Sequence, residues 1–164
     1  MTKRFRTIFV ITILSFTIPL SASAAKPDQS RFSMSFPADA LIDCGDFRIL
    51  DDVVIDVALK DFFDKNDNWI RSSEDYFFDD DLYNENFPDG IRLAGKGSVH
   101  WQRYKDGSFR NTGVRIRITV PGYGPLFFDA GQFGRDSDGV FYVHGHNQDW
   151  TSWEIDAICN YLDQ

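Results

Sequence analysis

His144 and His146 lie two residues apart in a stretch that reads as a strand, so both imidazoles project from one face. Imidazole nitrogens at that spacing suit a transition metal, with Asp149 or His100 completing the set. A histidine pair at a strand end beside a loop would look the same. Asp64, Asn66 and Asn68 alternate like the opening ligands of an oxygen-ligand calcium loop, and Asp75 falls at the closing position. Trp69 stands where such a loop needs glycine, and a plain hairpin turn, in which Asp and Asn bond their own backbone, explains the same residues. Asp136-Ser137-Asp138-Gly139 is a shorter case. Asp79-Asp80-Asp81 could add ligands, or could be a solvated acidic edge that keeps a strand from mispairing.

Acid–base catalysis needs two carboxylates in contrasting surroundings, and 25 acidic residues offer no way to choose a pair. The G-x-S-x-G elbow, the H-E-x-x-H helix and the phosphate-binding loop are all absent, and no cofactor is implied. Ser98 and Ser108 follow glycines, but neither lies at a strand–turn–helix junction. The aromatic load, 16% of the chain, is the more telling feature. Phenylalanine-rich strands fill a β core, and any surplus on a face or at a barrel mouth forms a platform for an apolar ligand, a sugar ring or a protein. Trp69, Trp101, Tyr104, Tyr123 and Trp150 are the candidates, each weighed against ordinary packing.

These side chains sit on a pattern of short repeats of two. Val114, Ile116, Ile118 and Val120 alternate with polar residues, then Pro121-Gly122-Tyr123-Gly124-Pro125 forces a turn into Leu126–Asp129 as a pairing strand. Asp46–Leu50, Val53–Phe63, Trp69–Phe78, Asp81–Tyr83, Ile91–Tyr104 and Val140–His146 read likewise, with Asp106-Gly107 and Asp138-Gly139 as hairpin signals. Gly95 and Gly97 inside a strand mark a bulge or curl. About eight strands without helical spacers predict a mainly β fold: an antiparallel meander forming a small β-barrel, or alternatively a sandwich. At the C-terminus, Thr151 and Glu154 form a capping box, with Trp150 and Ile155 placed as a hydrophobic staple. Ile155, Ile158, Cys159 and Leu162 share one face of the short helix that follows.

The ends bound the compartment. Lys3, Arg4 and Arg6, the apolar stretch Ile8–Leu20 and Ala22-Ser23-Ala24 form a signal peptide over 1–24. Residues 25–43, with Pro27 and Pro37, read as an irregular lead-in, and 44–164 as a single β domain. The expected product is secreted or periplasmic, free of the membrane after signal cleavage. In an oxidising compartment the two cysteines, Cys44 and Cys159, make a disulfide. Closing so long a loop stabilises the fold by up to ~4–5 kcal/mol in the chain-entropy account.

Removing Lys3, Arg4 and Arg6 takes the net charge from −8 to −11. Such acidity excludes nucleic acid as a partner, because that binding rests on neutralising phosphates. The charge is uneven: 43–89 nets −11 and 90–135 nets +6. Complementary pairing between neighbouring strands explains this split; a surface field that steers a charged partner is the alternative.

The run ITVPGYGPLFFDAGQFGRDSDGVFY, Ile118–Tyr142, resembles a pattern found in secreted microbial proteins of uncharacterised function. Those proteins also carry a Cys-Gly pair, here Cys44-Gly45, a turn like Phe62–Asn68, and a cysteine in a short terminal helix, here Cys159. The resemblance implies the same single-disulfide architecture and brings no activity or ligand with it. The residues themselves lead to three expectations. The first is a non-catalytic domain that binds a small apolar or carbohydrate ligand, or an extracellular protein. The second is an extracellular hydrolase or isomerase using acids with His144 or His146, and the third a structural envelope module.

Overall fold

Alternating side chains and six short connections fold this chain into one antiparallel sheet, in which every strand pairs with its sequence neighbour. The computed structural model describes residues 26–146 and 150–164. The strands are β1 (Asp28–Asp43), β2 (Arg48–Phe63), β3 (Trp69–Asn84), β4 (Arg92–Tyr104), β5 (Phe109–Val120), β6 (Gly124–Arg135) and β7 (Phe141–His146), followed by helix α1 (Ser152–Leu162). The turns are built as their residues require. Gly107, Gly122 and Gly139 adopt φ of 82°, 84° and 84°, the left-handed region where glycine is unstrained. The proline-glycine turn pairs Val120 with Gly124 and Ile118 with Leu126.

Three expectations change. Residues 28–43 are a strand and not an irregular lead-in, because the amides and carbonyls along the edge of β2 offer a partner. Pro37 is accommodated where the register slips between Phe36 and Asp39. The pieces expected on either side of Leu50–Val53 and Phe78–Asp81 are each continuous, giving 16-residue β2 and β3. The sheet is also open: among the described residues β1 pairs only with β2 and β7 only with β6, so the strands do not close into a barrel.

The core sits at one end of one face. Ile42, Ile49, Leu82, Leu93, Ile118 and Leu126 line that end, and α1 lays Ala157, Ile158 and Leu162 on them. The capping box forms as expected, with the Glu154 carboxylate accepting the Thr151 N–H at 2.8 Å and its hydroxyl at 2.7 Å. Cys44, just past β1, is bonded to Cys159 on α1 with Cα atoms 5.8 Å apart, which fastens the helix to the sheet. Farther along the same face, away from α1, Trp101, Phe109, Phe133 and Phe141 form a second cluster with ring centroids 5.3–6.2 Å apart.

The uneven charge resolves as cross-strand pairing. Arg92 meets Asp52 at 2.8 Å and Asp81 at 2.7 Å, Arg103 meets Glu74 at 2.8 Å, and Arg115 meets Asp80 at 3.0 Å.

Candidate functional site

On the face opposite the helix-covered core, strand register arranges the side chains in transverse rows. One row runs Arg31, Ala58, Asp75, His100, Thr112, Gln132, His144 across all seven strands. The next runs Ser33, Asp56, Phe77, Ser98, Val114, Ala130, His146. Paired residues of an antiparallel sheet share a face, so from β1 to β5 these side chains form one largely polar surface with a phenyl ring in its middle.

At its centre His100 Nδ1 lies 2.6 Å from Asp75 Oδ1. An ionised carboxylate only accepts, so Nδ1–H donates and Nε2 takes no part in this contact. Both side chains are about a third exposed, 37% and 36%. Phe77, which stands in the adjoining row, is 52% exposed. A groove of about 520 Å³ runs over β1–β3, lined by Arg31, Ser33, Asp56, Lys60, Asp75 and Phe77. A second, of about 330 Å³, runs over β3–β5 between Phe77, Ser98, His100 and Thr112. Asp75 and Phe77 belong to both grooves, which therefore meet at the exposed ring.

The five expected aromatic residues do not converge. Trp150 is buried at 7% against Phe128 in the core, so it presents no face to a ligand. Tyr123 is exposed on the β5–β6 turn, at the helix end of the sheet. Trp69 donates Nε1–H to Asp61 at 3.1 Å beside the β2–β3 turn. Tyr104 ends β4 and bonds Gln102, and Trp101 packs within the far aromatic cluster. Phe77 was not singled out from the sequence, although its alternation with Asp75 in one strand places both on the same face.

The metal expectations fare differently. His100 and His144 share a row but stand three strands apart, roughly 14 Å at the usual spacing, too far to ligate one ion. His144 faces Gln132 across β6; Asp149 and the side chain of His146 lie outside the described residues. Among the described residues no group of three or more His, Cys, Asp or Glu could hold a metal. In the β2–β3 turn, Asp64 Oδ1 accepts the amides of Asn66 at 2.8 Å and Asn68 at 3.0 Å, which makes it a turn residue held below the usual carboxylate range. Asp75 lies well along β3 against His100 and closes no loop. Asp136 Oδ1 likewise accepts the amides of Asp138 and Val140. Asp79 and Asp81 face outward to Lys96 and Arg92, whereas Asp80 is buried, so the triplet is not one acidic edge.

No family model, curated protein or solved structure matches the chain, and its function is read from this geometry.

Proposed function

We propose that this protein is a secreted, non-catalytic domain that binds a carbohydrate chain along the open face of its sheet. The observation that carries the reading is Phe77, half exposed where two shallow grooves meet and ringed by hydroxyl, imidazole and carboxylate groups. A sugar ring presents apolar C–H groups on one side and hydroxyls at its rim. A phenyl ring bordered by Asp75, His100, Ser98 and Thr112 offers the matching partners. Two grooves meeting end to end favour an oligosaccharide over a single sugar.

Titration calorimetry with cellohexaose, xylohexaose and chitohexaose tests this. Binding of one of them, weakened about tenfold or more by Phe77→Ala with the melting temperature unchanged, is the expected result. No binding across the panel, or equal binding by the variant, overturns it.

Export is part of the same proposal. The disulfide and the basic–apolar–small-residue start at 1–24 support it, and no helix among the described residues is long and apolar enough to cross a membrane. Sequencing the exported protein should find a new N-terminus at Ala25. A second reading, acid–base catalysis by an extracellular hydrolase, draws on the 2.6 Å Asp75–His100 contact. Shortening of the hexaoses, abolished by His100→Ala, would favour it.

A further inference from the structure

The strand β1 leaves one of its two edges without a partner among the described residues. Natural sheets guard such an edge with prolines, bulges, charges or a covering element, because bare amides and carbonyls template pairing with another strand. Here Pro37, Ala38 at φ 52° and two register slips guard the second half of β1, and the charges of Asp28 and Arg31 guard its start, which leaves Phe32–Phe36 bare. Asp28–Phe36 instead pairs with β2 in unbroken register, from Asp28↔Asp61 to Phe36↔Val53. Phe32 and Phe36 stand 48% and 47% exposed on that stretch. Through their partners Val57 and Val53 they lie on the α1 side of the sheet, with Met34 between them.

The sequence of this edge reads alike in both directions: Phe32-Ser33-Met34-Ser35-Phe36. We propose that β1 pairs antiparallel with β1 of a second copy, about a two-fold axis through Met34. In that register Phe32 meets Phe36 of the second copy, Ser33 meets Ser35, and Met34 meets itself. Positions related this way have the same parity, so every apolar residue stays on the α1 side and every serine on the open side. A slip of one residue puts phenylalanine against serine; a slip of two sets one phenylalanine of each chain against Met34 and leaves no phenylalanine facing another.

Charge points the same way. The chain carries a net −8, yet Phe32–Phe36 holds no charged residue, so two acidic copies meet through a neutral window. An isologous pair uses up both β1 edges and closes at two copies, whereas β1 joined to β7 of another copy would grow without end. One strand pairing buries an area at the small end of specific interfaces, below about 1,200 Å². The dimer is therefore concentration-dependent. It leaves the open faces of both copies on one side of a joint sheet.

Sedimentation velocity over roughly 1–200 µM, a range suited to weak association, together with cysteine crosslinking, tests the proposal. The full chain should shift from monomer to dimer and no further. Met34→Cys should give a disulfide-linked dimer on mild oxidation, since directly opposed residues sit about 4.5–5.5 Å apart, within disulfide reach. Ser30→Cys should not, because its twin lies about eight residues away along the pair, roughly 26 Å. Phe32→Lys with Phe36→Lys should abolish the dimer while the melting temperature holds. Should that double variant fail to fold, the crosslink in the otherwise native chain decides alone. A monomer at every concentration, open-ended growth, or equal crosslinking of the two cysteine variants overturns the proposal.

Discussion

Asp51 and Asp80, on adjacent strands β2 and β3, meet in the interior, 2% and 2% exposed, with a single guanidinium, Arg115, bonded to Asp80 at 3.0 Å. Asp51 Oδ1 accepts the Asp81 amide at 3.1 Å, and Asp80 Oδ2 is buried with no donor. Burial first, and then the neighbouring Asp80 charge, push Asp51 up to about 7. A proton on the Asp51 carboxyl gives it a hydrogen bond to donate to its buried neighbour Asp80.

The sign of the consequence follows from that proton. Folded, Asp51 holds it up to about pH 7; unfolded, it loses it near 3.8. Between those values the folded state binds more protons, so this group's stabilisation falls as pH rises from about 4 to about 7 and then levels off. Asp51→Asn, whose amide can donate to Asp80 at any pH, should be more stable than the native protein at pH 8. The difference should shrink towards pH 4. Urea unfolding at several pH values checks this; a native-like slope in the variant would refute it.

Reducing the disulfide should lower stability as much as the costliest single core substitutions. The bond closes a separation of 115 residues and joins the end of β1 to α1, so the chain-entropy account gives ~4–5 kcal/mol. Cys44→Ser with Cys159→Ser should show a large fall in melting temperature and early loss of the helical circular-dichroism signal. An unchanged melting temperature would leave the bond without a stabilising role.

Helix α1 offers a contrast between its two faces. Ile158 is fully buried in the core cluster, and Ile158→Ala should cost about 2–5 kcal/mol. Trp153 on the same helix is 55% exposed, and Trp153→Ala should fall within about 0.5 kcal/mol of native. Equal losses in denaturant titrations would contradict the docking described here.

At the strand irregularity where Ser98 pairs with Val114, Gly113 adopts φ 138°. A Cβ there would strike the Ser98 carbonyl and strain the backbone together. Gly113→Ala should destabilise by at least about 1–3 kcal/mol. The damage should also reach ligand binding, because Ser98 and Thr112 line the groove beside it. Gly122→Ala, with open space around its Cβ, isolates the backbone term alone.

Much of this architecture was legible in the residues because it is local. Alternation at Val114–Val120, the Asp-Gly turns, the Thr151–Glu154 cap and the lone cysteine pair each act within a few residues or through one bond. Even β1 left a signal, the alternation of Phe32, Met34 and Phe36 with serines, though Pro27 and Pro37 obscured it.

The sequence by itself determined strands, turns, the terminal helix and a mainly β body. Only the tertiary structure decided that the sheet stays open, that Asp75 faces His100, that Phe77 belongs to two grooves at once, and that Trp150 is core. The reason is physical. A period of two tells which residues share a face of one strand, but not which residue of the next strand stands opposite. That register is set by the sum of turn lengths, bulges and packing across the whole sheet, and every candidate site here is a product of register.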